Sequence, residues 1–145
     1  MDNSIAHGHE AADGRGQLVK LREALQQLHK TLLASERMSY ETSFGVTLSP
    51  YQFLQLLTND PWFAWLAPIT QLLADVDARL DEKKSLAPAD VQLLGRRTKL
   101  LLTPTETGEG FSRQYDEVLQ RDPDVLFAHV TMAKLLRSHS EKGSA

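Results

Sequence analysis

Leu18, Leu21, Leu25, Leu28 and Leu32 recur three and four residues apart. That spacing returns every apolar side chain to one stripe of an α-helix and would scatter them over both faces of a strand. It predicts a first amphipathic helix over about residues 17 to 42, with Lys20, Glu23, Gln27, Lys30 and Arg37 on its polar side and Gly45 at the reversal that follows. The stripe ends at Glu36 after roughly three heptads. Such a stripe suits the core side of a bundle helix, and equally a short seam between two copies.

Proline divides the rest of the chain into helices. Ser49-Pro50 reads as a cap followed by proline at the first helical position, where the missing N–H costs nothing, and Phe53, Leu54, Leu56 and Leu57 supply a short apolar surface. Asn59-Asp60-Pro61 repeats the device and opens a turn with Trp62, Trp65 and Ile69 on one face. Pro68 then predicts a kink, because its ring clashes with the Ala64 carbonyl in an unbroken helix. Ile69, Leu72, Leu73, Val76 and Leu80 continue the stripe to about Lys84.

A fourth helix is expected from Ser85-Leu86-Ala87-Pro88 to about Leu102. Its leucines, among them Leu93, Leu94 and Leu100, spread around the circumference and suggest a central position. The loop Thr103 to Gly110 leads into a short fifth helix carrying Phe111, Tyr115, Val118 and Leu119. Asp122-Pro123 caps a last helix to about Ser138, with Leu126, Val130, Ala133 and Leu136 expected inward. No run alternates long enough to argue for a strand, and no internal repeat is present. The expected fold is all-α, a compact single-domain bundle of about five or six helices over residues 17–138, with a disordered tail over 1–16 and a frayed end over 139–145.

Composition narrows the chemistry. The formal charge of −3 gives no global pull toward nucleic acid or anionic lipid, and the absence of cysteine removes thiolate catalysis and thiolate-bound metals. No secretory signal and no membrane-length apolar run is read, so a cytoplasmic setting and no membrane partner are expected. Gly108-Glu109-Gly110 lacks the lysine and the glycines of a phosphate cradle, and no Gly-x-Ser-x-Gly elbow is present. No catalytic residues, no metal site and no cofactor are assigned.

Four sets of residues remain as candidate sites. Trp62, Phe63, Trp65 and Leu66 concentrate ring area beside two prolines and form a candidate interaction surface, although burial in the core is the commoner fate of such residues. His29 and His129 flank the apolar stripes of their helices and, with Tyr115, make a candidate ligand pocket for haem, a lipid or a metabolite; helix-flank histidines bonded locally are the plainer alternative. Arg96, Arg97 and Lys99 are candidate phosphate contacts, but Arg97 points about 100° from Arg96 on a helix and no base-reading element accompanies them, so nucleic acid is not the expected partner. Asp75, Asp77, Asp81 and Glu82 read as a solvated face, with Asp75 paired to Arg79 and Asp81 to Lys84. His7, His9 and Glu10 form a chelating triplet on the tail, where metal binding would be incidental.

The run Leu56 to Leu66, preceded by the leucine-rich first helix and Tyr40-Glu41, resembles small uncharacterised bacterial proteins with an Asp-Pro-Trp-Phe-x-Trp-Leu segment. The resemblance spans about residues 17 to 84. It implies a bacterial cytoplasmic setting and brings no established activity and no catalytic residue. The sequence therefore leads to a non-enzymatic helical interaction or regulatory protein, homodimeric through part of the first helix or the tryptophan segment. A small-ligand bundle and a nucleic-acid accessory protein stand as alternatives.

Overall fold

The computed structural model describes residues 14–144, with side chains over 14–140. Among the described residues it is all-α: α1 (Arg15–Phe44), α2 (Pro50–Asn59), a 3-10 turn (Pro61–Leu66), α3 (Ala67–Asp81), α4 (Pro88–Leu101), α5 (Phe111–Arg121) and α6 (Pro123–Ser144). α1 is the spine, packed against α6, α3 and α4, and its five stripe leucines are fully buried. α6 lies along α1 and also packs on α4 and α5. The core is one continuous cluster running from Leu18 through Phe63, Ile69 and Val76 to Tyr115, Val125 and Met132.

The proposed tail falls partly inside this body. Residues 1–13, with His7, His9 and Glu10, lie outside the described residues, but Arg15 and Gly16 are already helical. Arg15 Nη1 donates to the Leu80 carbonyl at 2.7 Å, and Nη2 donates to those of Glu82 and Lys84 at 2.8 and 3.0 Å. A guanidinium thus supplies donors to the end of α3, where the last carbonyls lack intrahelical partners.

Gly45 ends α1 in the left-handed conformation with φ of 64°, which a side chain would resist. Ser49 caps α2 reciprocally. Its hydroxyl accepts from Gln52 N at 3.1 Å and its own N–H donates to Gln52 Oε1 at 2.9 Å. α2 nevertheless contributes no buried residue and rides on the 3-10 turn. Arg37 and Glu41 tie its approach loop to α1, through the Leu48 carbonyl and amide respectively.

Two expected faces are corrected. The leucines of α4 do not make it central: only Val91 and Thr98 are buried within it, while Leu93 and Leu100 face solvent. A stripe spread around a helix can report surplus apolar surface rather than central position. In α6 the buried line is Val125, Ala128, Met132 and His139, and Leu126 and Val130 are exposed. The first turns of α6 are apolar nearly all round, so periodicity could not set their phase. Packing between α1, α4 and α5 sets it instead. The helix also continues to Ser144, past the expected end at Ser138.

Candidate functional site

The tryptophan segment is not a kinked α-helix. Asp60 Oδ1 accepts the Trp62 N–H at 2.8 Å, and the turn that follows is 3-10, with three residues per revolution. That period aligns Phe63, Leu66 and Ile69, which are all buried, and leaves Trp62 and Trp65 half-buried on the flank. Pro68 then falls in the first turn of α3, where no N–H is required, so the expected kink becomes a change of helix type. Phe63 and Leu66 are each 2% exposed and cannot belong to an interaction surface.

The rings of this elbow close on neighbours within the chain. Tyr40 stands 5.5 Å from both Trp62 and Phe63, Phe53 packs edge-on against Phe63 at 5.5 Å, and Trp65 meets Phe111 at 5.3 Å. Trp65 Nε1 donates to Glu36 Oε1 at 3.1 Å, while Arg121 Nη2 donates to Glu36 Oε2 at 2.7 Å. Glu36, only 6% exposed, therefore joins α1, the elbow and α5 through two charge-assisted hydrogen bonds. The leucine stripe by itself marks Glu36 only as its end. Its signal was a carboxylate one turn beyond Leu32 on the same face. The Trp62 indole N–H is buried with no acceptor among the described residues.

The histidines do not converge on each other. His29 Nε2 shares a hydrogen bond of 2.9 Å with the Thr70 hydroxyl, bridging α1 and α3. His129 Nδ1 lies 2.8 Å from the Tyr115 hydroxyl, between α6 and α5. Tyr115 is fully buried, stacked on Phe111 at 5.4 Å, and burial pushes its phenol above the ordinary range. Burial also holds both imidazoles below their usual value. The buried Tyr115 O–H has His129 as its hydrogen-bond partner and is satisfied when it donates to Nδ1, the arrangement that carries the His129 proton on Nε2.

His129 does join the basic cluster. Arg96, Lys99 and His129 line one open groove between α4 and α6, together with Arg137, Leu100, Leu102, Met132 and Leu136. Its volume is about 900 Å3. Arg97 points away and pairs with Asp75 at 2.7 Å, so the three expected phosphate contacts are split. This also corrects the acidic face. Asp75 reaches across to α4 rather than to Arg79, and Arg79 pairs with Asp90 at 3.0 Å and with Glu82 at 3.7 Å.

A second groove, of about 530 Å3, runs between α1 and α6. Ala24, Ala34 and Ala128 give it a shallow floor, Lys30 and Asp124 contribute opposite charges, and Phe127 stands beside them 75% exposed. No sequence pattern pairs these residues, since the periodicity of α6 favours Leu126 and Val130 as the inward positions and the structure buries Ala128 instead. Among the described residues no three His, Asp or Glu side chains are grouped to hold a metal, and no helix is long and apolar enough to cross a membrane. Comparison with protein-family models, curated proteins and solved structures returns no match.

Proposed function

We propose that the protein is a non-enzymatic helical interaction protein that pairs with a second copy of itself across the α1–α6 face. The observation that carries this reading is a knob beside a hole. Phe127 projects from α6, and the alanine-floored groove next to it is lined by α1 and α6. A twofold pairing requires one surface to be complementary to itself, and a ring next to a shallow groove meets that requirement when each copy inserts its ring into the other. Lys30 and Asp124 on the same groove add opposite charges that a twofold can bring face to face. Leu126 and Val130 extend the apolar area along the exposed side of α6.

Sedimentation velocity over a wide concentration range tests the pairing. The wild type is expected to sediment as a concentration-dependent dimer, and Phe127→Glu as a monomer with an unchanged helical circular-dichroism spectrum. A wild type that remains monomeric at every concentration refutes the reading. A Phe127→Glu protein that still dimerises moves the seam away from this face.

A further inference from the structure

The groove between α4 and α6 has a different character from the pairing face. Its floor is apolar, with Val91, Leu100, Leu102, Met132 and Leu136, and Leu100 is 80% exposed despite its size. Among the described residues its charged rim has one sign only. Arg96, Lys99 and Arg137 line it, no Asp or Glu does, and none of the three has a carboxylate partner among the described residues. His129 adds a further donor, because Tyr115 occupies Nδ1 and leaves the N–H at Nε2. The volume of about 900 Å3 suits a small molecule rather than a helix of a partner protein.

Gly95 completes the picture. It sits inside α4 on the groove wall, where glycine weakens a helix relative to alanine. Nothing crowds it, since a Cβ added there would meet only Leu136 Cδ2 at 4.0 Å, an ordinary contact. The missing side chain keeps the groove open where fold packing does not require it.

The geometry points to a binding site for a long-chain carboxylate, its acyl chain lying on the Leu100, Met132 and Leu136 floor and its head group held by Arg96, Lys99 and Arg137. Cations with no carboxylate partner among the described residues, facing an apolar trough, match an amphipathic anion in both sign and polarity, and guanidinium groups grip a carboxylate bidentately. The assignment is independent of self-pairing, whose groove is lined on α6 by Asp124, Phe127, Ala128 and Thr131, none of which lines this one.

Isothermal titration of the full chain with laurate tests it, with dodecanol, acetate and a short single-stranded oligonucleotide as comparison probes. Laurate is expected to bind in the micromolar range and dodecanol and acetate at least about tenfold more weakly, since each lacks half of the recognised chemistry. R96Q/R137Q should lose about tenfold or more in laurate affinity. Gly95→Leu should abolish binding while retaining or raising the melting temperature, because it fills the groove and improves the helix. Equal affinity for dodecanol, undiminished laurate binding by Gly95→Leu, or oligonucleotide binding without laurate binding would each overturn the site. So would an absence of laurate binding up to roughly 1 mM.

Discussion

At the elbow, rings from α1, α2, the 3-10 turn and α5 close on one another, whereas along the first half of α6 residues of comparable size stand in solvent. Both regions are rich in apolar area. They differ in what surrounds them: the elbow is enclosed by several elements meeting at a corner, and α6 is a rod that can be covered only along the lines where α1, α4 and α5 touch it. Ring density therefore marks where a chain fastens itself. Apolar surface in excess of what a rod's neighbours cover is what remains for partners.

The sharpest way to break this comparison is to delete one ring from each region. Phe63→Ala should cost about 3–5 kcal/mol, because it removes a side chain that Tyr40 and Phe53 contact and leaves a cavity at the corner. Phe127→Ala should change the stability of the folded monomer by less than about 0.5 kcal/mol. Chemical denaturation at low protein concentration measures both. A Phe127 variant that destabilises the monomer as much as the Phe63 variant would show that the two regions do not differ in this way.

The same contrast explains what could be read in the sequence. The α1 stripe, the Ser49 and Asp60 caps and the apolar positions of α5 were legible because one neighbouring surface selects one face, and period and caps encode that selection. The faces of α6 and α4 were not, since their leucines and valines occupy most of the circumference and only contact with three other helices decides which go inward. The elbow was located correctly but phased with the wrong period. Three residues per turn put Phe63 and Leu66 inside, where 3.6 would have chosen the tryptophans. Of the candidate sites, Arg96, Lys99 and His129 were individually visible, yet their union in one groove depends on α4 lying beside α6. No local spacing reports that.

A smaller effect should follow from opening the polar knot of the elbow. Arg121→Met leaves the buried Glu36 carboxylate with only the Trp65 indole as partner, and should cost about 2 kcal/mol. That is below the range for a fully buried pair because Arg121 is itself half-exposed and water already shares its charge. Replacing Glu36 by Gln in the Arg121→Met background should recover part of the loss, since a neutral amide still accepts from the indole. If Arg121→Met melts with the wild type, the corner is held by its rings alone.

On the α6 side the polar contact that joins it to α5 is neutral. Tyr115→Phe removes the donor to His129 Nδ1 while retaining the stack on Phe111, and should cost about 1 kcal/mol. Because His129 then loses the partner that fixes its tautomer, its Nε2 resonance should broaden or shift in nitrogen-detected spectra. A Tyr115→Phe protein with wild-type stability and an unchanged imidazole spectrum would remove the bond from the account of how α5 is fastened to α6.

The smallest effect expected is on the pH profile, and it separates the regions by titrating group. Burial lowers the His29 and His129 pKa values from 6.5, so below that value the unfolded chain binds more protons than the folded one. Their contribution to stability is complete above pH 6.5 and is lost as pH falls through that value toward the folded ones. Glu41 is also lowered, first by the Leu48 amide and then by Arg37, which outweigh its desolvation. Its contribution has the same sign but is lost only as pH falls below its usual value of 4.5. The melting temperature should therefore decline in two windows, a shallow upper one from α1–α3 and α5–α6 and a lower one from the loop that carries α2 together with Asp75, which its hydrogen bonds to Gln71 and Arg97 hold below its usual value. His29→Gln combined with His129→Gln should flatten the upper window and leave the lower one in place. An upper decline of equal depth in that double variant would assign it to other groups and dissolve the link between the α6 contact and acid sensitivity.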